Sequence, residues 1–161
     1  MPDPVRFNDS MPLSDARATL RTLVDVGHQC PCCRQFSKVY RRRLNAGMAA
    51  SLVKLWAAVG ERPGVFAHGP SLPGDTHEIS QLAWWGLIED EPARRTGWWA
   101  VTDFGEQWLR ARTTVRSHAV VYDGRCLRLD GESLSLRQAL GTKFSYEELM
   151  APASLLSQVA A

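Results

Sequence analysis

The sequence predicts a mainly α fold with small β-hairpins and a C-terminal β-meander. Three observations carry that expectation. Apolar residues recur at helical spacing near residues 14–26 and 46–59. Capping residues (Ser14, Asn45, Asp75, Thr102, Ser135, Ser145) stand at the head of successive helical patterns. Two Asp-Gly pairs, Asp123-Gly124 and Asp130-Gly131, punctuate the only stretch that alternates like strands.

Taken in order, Ser14 is expected to cap a helix running to about Val26. It places Leu13, Ala16, Leu20, Leu23 and Val24 on one face and stops at Gly27. A cysteine-rich segment follows, and then a short basic helix over 36–44. Asn45 caps a helix over 46–59, whose apolar face is Met48, Leu52, Leu55, Trp56 and Val59. Residues 61–74 read as a loop or a broken short helix because prolines and glycines interrupt them. Asp75 with Glu78 opens a helix that buries Ile79, Leu82 and Ala83 and ends at Gly86. Leu87-Ile88-Glu89 and Trp98-Trp99-Ala100-Val101 read as short strands. Thr102 starts a helix with Phe104, Trp108 and Leu109 on one side. Residues 119–122 and 125–129 pair about Asp123-Gly124, and Asp130-Gly131 returns the chain toward Leu134. Two short capped helices follow, from Ser135 with Gln138 and from Ser145 with Glu148. The segments group as 1–45, 46–111 and 112–161 within one compact unit.

Charge is segregated along the 161 residues. Residues 1–60 hold nine Lys and Arg against four Asp and Glu, while residues 61–110 hold four against eight. The net charge of +2 hides this, and the pattern favours a local anionic partner over a generally basic protein. No apolar run approaches the roughly 20 residues that span a bilayer, so no membrane partner is expected. The start, Met1-Pro2-Asp3-Pro4-Val5-Arg6, lacks the apolar stretch of a signal peptide, and a reducing cytoplasm is the expected location.

Three of the four cysteines lie in Cys30-Pro31-Cys32-Cys33, with His28 just upstream. Cys30 and Cys33 have the C-x-x-C spacing that lets two thiolates hold one face of a tetrahedral ion. One such knuckle is half a zinc site. The remaining ligands would come from His28, Cys32, His68, His77, His118 or Cys126, with His28 and His68 preferred. Cys32 adjoins Cys33, so their side chains diverge and Cys32 reads as a spare. Structural zinc is the first reading, ordinary buried thiols the second, and thiol redox chemistry the third.

The stretch Glu78-Ile79-Ser80-Gln81-Leu82-Ala83-Trp84-Trp85-Gly86-Leu87-Ile88-Glu89, a turn, and then Gly97-Trp98-Trp99-Ala100-Val101-Thr102-Asp103-Phe104-Gly105 resembles a winged helix-turn-helix. The likeness covers residues 46–111. Residues 30–49 also resemble small bacteriophage proteins that join a cysteine knuckle to such a domain. The resemblance implies a recognition helix over about 76–85, showing His77, Ser80, Gln81 and Trp84 to a DNA groove, and a wing carrying Arg94 and Arg95 to the backbone or minor groove. This helix holds Glu78 and no Lys or Arg, which leaves a protein-binding role open beside DNA reading.

Arg34, Lys38, Arg41, Arg42 and Arg43 stand in a ten-residue run without a carboxylate. Such a stripe can replace phosphate counterions, or it can be a solvated face that balances the acidic middle of the chain. Trp56 and Trp108 fall at core positions. Trp98 and Trp99 are neighbours in a strand and face opposite sides, so one is covered by the C-terminal meander or meets a partner or second copy. No nucleophile elbow, phosphate loop, HExxH or paired-carboxylate motif is present, and a catalytic role is not expected. The resulting expectation is a non-enzymatic, zinc-containing winged-helix protein that binds nucleic acid, double-stranded DNA first, as a regulator of phage origin. The alternative is a module that docks on or inhibits host machinery through a Trp-bearing surface.

Overall fold

The computed structural model describes residues 7–74, 77–93 and 97–151. Helix α1 is Leu13–Leu23, followed by the short strands β1 (His28–Gln29), β2 (Phe36–Ser37) and β3 (Tyr40–Arg43). Helix α2 (Ala46–Ala58) leads through β4 (Phe66–His68) and 3-10 helices at Gly69–Ser71 and Ile79–Trp85 to β5 (Ile88–Asp90) and β6 (Trp98–Val101). Helix α3 (Asp103–Leu109), the long strands β7 (Val115–Tyr122) and β8 (Arg125–Leu134), and helices α4 (Leu136–Leu140) and α5 (Tyr146–Met150) complete the chain. The strands form three sheets, β1-β2, β3-β7-β8 and β4-β6-β5.

This architecture overturns the mainly α expectation with its winged-helix core and C-terminal meander. Among the described residues 36% are helical and 26% are in strands, arranged as three small antiparallel sheets, so the fold is mixed α/β. Two misread segments account for the difference. Residues 36–44, expected as a basic helix, supply β2 and β3. Residues 61–74, expected as a loop or broken helix, hide β4. β3 and β4 owe their form to partners distant in sequence, because strand preference depends on neighbouring strands more than on local residues, while β2 pairs with the nearby β1. β4 pairs with β6 in the register Phe66↔Ala100 and His68↔Trp98. The expected meander also changes. Asp130-Gly131 does not turn the chain but lies inside β8, and the third strand of that sheet is β3.

The chain divides into two compact units, residues 1–41 with 120–128 and residues 42–119 with 129–161. In the first unit α1 buries Ala16 and Leu20, and Val24 just past its end is buried as well. Its N-cap is Pro12, not Ser14, whose hydroxyl turns to Asp15. Gly27, with φ of +85°, ends this region and donates to the Leu23 carbonyl at 2.9 Å. The Val39 amide donates to the Val24 carbonyl at 2.9 Å.

The second unit is built around α2. The Asn45 side chain accepts from the Met48 amide at 2.9 Å, satisfying one of the free donors at the helix start. Met48, Leu52, Leu55 and Trp56 are then almost wholly buried, and each such side chain contributes roughly 1.5–3 kcal/mol. They pack against α4, α5, β6 and the 3-10 helix Ile79–Trp85. Thr102 caps α3 as expected, accepting from the Gly105 amide at 3.0 Å. Phe104, expected on the buried side with Trp108, is instead 39% exposed. Ser135 and Gln138 form the full capping box of α4.

Candidate metal knuckle and basic strand

The cysteine segment forms a tight turn between β1 and β2. Strand pairing sets His28 opposite Ser37 and Gln29 opposite Phe36. The Cys30 amide donates to the Gln35 carbonyl at 2.7 Å, and the Arg34 amide donates to the Cys30 carbonyl at 2.9 Å. The Gln29 side-chain amide holds the Arg34 carbonyl at 3.0 Å. Closing the turn this way puts Arg34 at φ of +61°, a left-handed conformation that L residues adopt at some cost. Gln29 and Arg34 therefore shape the knuckle. A residue just after C-x-x-C that must turn left-handed was the signal that could have marked Arg34.

This turn aims donors at sulfur. The Cys30 thiol titrates below its ordinary value, chiefly because the Cys33 amide and then the Cys32 amide hydrogen-bond to it, with the Cys33 and Cys32 thiols adding to the effect. Hydrogen bonds to the ionised form favour it. Cys30 is half-buried, and Cys32 and Cys33 are exposed. That exposure speaks against the reading of these thiols as ordinary core packing. Cys126 is different: burial pushes its thiol up, and its sulfur donates to the Arg128 carbonyl at 3.4 Å.

All four cysteines and all four histidines lie among the described residues. Among those residues, no group of three or more His, Cys, Asp or Glu side chains is placed to hold a metal ion. His28, in the same unit as the knuckle, turns Nδ1 to the Gln29 carbonyl at 2.9 Å and meets the Phe7 ring edge-on at 5.3 Å. His68, in the second unit, has Nδ1 2.9 Å from Ser71 Oγ and its ring 5.4 Å from Trp98. His118 Nδ1 lies 2.9 Å from the Ser117 hydroxyl. Of the four expected ligands, Cys30 and Cys33 therefore share one turn, and His28 and His68 are not gathered with them to hold an ion.

The basic residues fall on a different element from the one expected. Lys38 is exposed in the link between β2 and β3. Arg41, Arg42 and Arg43 occupy β3, where every residue is exposed. In a strand, successive side chains alternate, so Arg41 and Arg43 share one face and Arg42 takes the other. The expected basic helix over 36–44 is thus replaced by a short two-faced cationic ribbon. Arg94 and Arg95 lie outside the described residues.

The segment expected to read a groove does not form an α-helix where it is described. Ile79–Trp85 is a 3-10 helix that turns Ile79, Leu82 and Trp85 inward. The expected cap Asp75 lies outside the described residues, and Glu78 accepts from the Asn45 side chain at 2.8 Å. Gln81 is half-buried and His77 exposed. His77 lines an open cavity of about 430 Å³ together with Ile79, Gly97 and Trp99. Trp98 and Trp99 are both half-buried, whereas Trp85 is buried and donates to the Arg116 carbonyl at 2.6 Å.

Compared with protein-family models, with curated proteins and with solved structures, the chain matches none. Among the described residues no helix is long and apolar enough to cross a membrane.

Proposed function

We propose that this chain is a non-enzymatic nucleic-acid-binding protein, with duplex DNA as the first ligand to test. In this reading the phosphates are held by Lys38, Arg41, Arg42 and Arg43, and a structural zinc ion is held by Cys30 and Cys33. The observation that carries it is four exposed cations within six residues, three of them on one strand, in a run free of carboxylates. Each phosphate neutralised releases counterions, which makes such binding fall steeply with salt. Groove reading by residues 79–85 forms no part of the proposal, because that 3-10 helix carries no Lys or Arg. The zinc would cross-link the turn that precedes the basic strand and so reduce its freedom. The likeness to phage proteins makes a regulatory role the first one to examine.

The test is a titration of labelled duplex DNA across a salt series. The wild-type slope of log affinity against log salt should be steep, at about 0.9 per phosphate contacted. Replacing Arg41, Arg42 and Arg43 by Ala should lower that slope by about one per lost contact, with the fold intact by circular dichroism. Absence of any complex with the wild-type protein at low salt would discard the proposal.

One observation favours a second reading. Trp99 stands half-buried at the wall of an open cavity, and Trp is a common anchor at protein interfaces. In that case Trp99→Ala should abolish capture of a protein partner while leaving DNA affinity untouched.

A further inference from the structure

Zinc in a structural site takes four protein ligands. Cys30 and Cys33 supply two; the Cys32 thiol also reaches Cys30, but no three Cys, His, Asp or Glu side chains among the described residues are placed to hold an ion. The pair is nevertheless prepared for a metal: the turn is fixed by three hydrogen bonds at 2.7–3.0 Å, and Cys33 stands exposed. We propose that one zinc ion is shared between two copies of this chain, each giving Cys30 and Cys33, so that the metal lies on the two-fold axis of a homodimer. This rests on the zinc part of the proposed function and names what completes the site.

Symmetry supports the assignment. A two-fold interface presents the same patch from both copies, so a four-ligand ion on the axis needs two ligands per copy, which is what the chain offers. The surroundings suit a covered surface. A small groove of about 170 Å³ runs beside the knuckle, walled by Leu13, Ala16 and Leu20 of α1 and by Cys30, Pro31 and Cys32. Leu13 is 53% exposed there, and Phe36, on the strand leaving the knuckle, is 61% exposed. Among the described residues, five of the seven large exposed apolar side chains (Leu13, Val26, Phe36, Tyr40 and Leu127) belong to this smaller unit. Leu13 and Pro31 line the same groove as Cys30 and Cys32, so apolar surface adjoins the thiols directly.

Charge also favours the shared site. Each thiol binds as thiolate and gives its proton to solvent, so four thiols release four protons and leave the zinc centre with two net negative charges. Arg17 lines the groove next to Cys30, and Arg34 follows Cys33 directly. Each copy therefore brings two cations to that anionic centre.

The experiment adds zinc chloride alone to metal-free full-length protein under a non-thiol reductant, which excludes disulfide dimers. Native mass spectrometry and metal analysis are then read together. The expected result is a dimer with one zinc per two chains, dissociated by a chelator and restored by zinc. Cys33→Ser should remain a zinc-free monomer, and Cys126→Ser should behave as wild type. If Cys33→Ser does not fold, the chelator arm on the wild-type protein decides alone. A monomer holding one zinc per chain would overturn the shared site while leaving the zinc reading intact. A protein that binds no zinc would overturn both. A dimer that survives the chelator or Cys33→Ser would also overturn the shared site.

Discussion

The indole N–H of Trp108 donates to the main-chain carbonyl of Leu134 at 2.9 Å, and both residues are buried. This bond ties α3 to the end of β8 inside the second unit. Trp56, equally buried on α2, has an indole nitrogen with no hydrogen-bond partner among the described residues. The two tryptophans therefore respond differently to Phe. Trp108→Phe strands a buried carbonyl, which adds about 1–3 kcal/mol to the packing loss. Trp56→Phe loses packing and weakens the Arg110 contact over its ring at 5.6 Å, but breaks no hydrogen bond. Urea unfolding midpoints should fall further for Trp108→Phe, and equal losses would show that the Leu134 bond contributes nothing net.

Gly105 makes a second sensitive contact. A β-carbon there would run into the Leu87 carbonyl oxygen and crowd Val101. Backbone cannot swing aside as a side chain can, so Gly105→Ala should cost near the upper end of the roughly 1–3 kcal/mol typical of overpacking. Thr102→Ala, which removes the cap of the same helix, should cost about 1 kcal/mol. Thermal unfolding of the two variants checks the order, and a wild-type midpoint for Gly105→Ala contradicts the close approach.

The thiols should separate by reactivity. Cys30 is lowered by the Cys33 and Cys32 amides, whereas burial raises Cys126. The thiolate is the nucleophile. In metal-free protein near neutral pH, an alkylating reagent should therefore label Cys30 before Cys126. Raising the pH should narrow the gap as Cys126 also ionises. Peptide mass spectrometry over time reads this directly, and Cys126 labelling first would refute the knuckle's donor geometry.

Glu147 offers a pH test at the C-terminal helices. The Arg137 guanidinium hydrogen-bonds its carboxylate and holds its pKa below the usual 4.5, while the same guanidinium lies 4.2 Å from the Tyr146 ring. A depressed carboxyl pKa means support present above the ordinary value and lost as pH falls through the folded-state value. Arg137→Gln should return the Glu147 titration toward 4.5, followed by carbon-detected NMR. Because the pair is largely exposed, the titration should move far more than the unfolding midpoint.

Much of what lies within a few residues was readable from the chain. The Asn45 and Thr102 caps, the Ser135–Gln138 box and the Asp123-Gly124 turn appear as expected because each closes hydrogen bonds over three or four positions. The Cys30–Cys33 spacing is equally local. Ser14 failed as a cap because Pro12, with its extended backbone, already stands at the head of the helix. In the candidate site, the residue types were legible, but the exposure of Cys33 and the left-handed Arg34 were not.

By itself the sequence determined the helix starts at Asn45, Thr102, Ser135 and Ser145, the Cys30–Cys33 spacing and the concentration of cations between residues 34 and 43. Only the tertiary structure decided that those cations ride on a strand and that Phe66–His68 joins a sheet. β3 gains its partner β7 more than seventy residues later, and β4 pairs with β6 about thirty residues on. A short segment has no intrinsic energy large enough to choose strand over helix. The choice is made by the backbone donors and acceptors of a distant partner, which no local window contains.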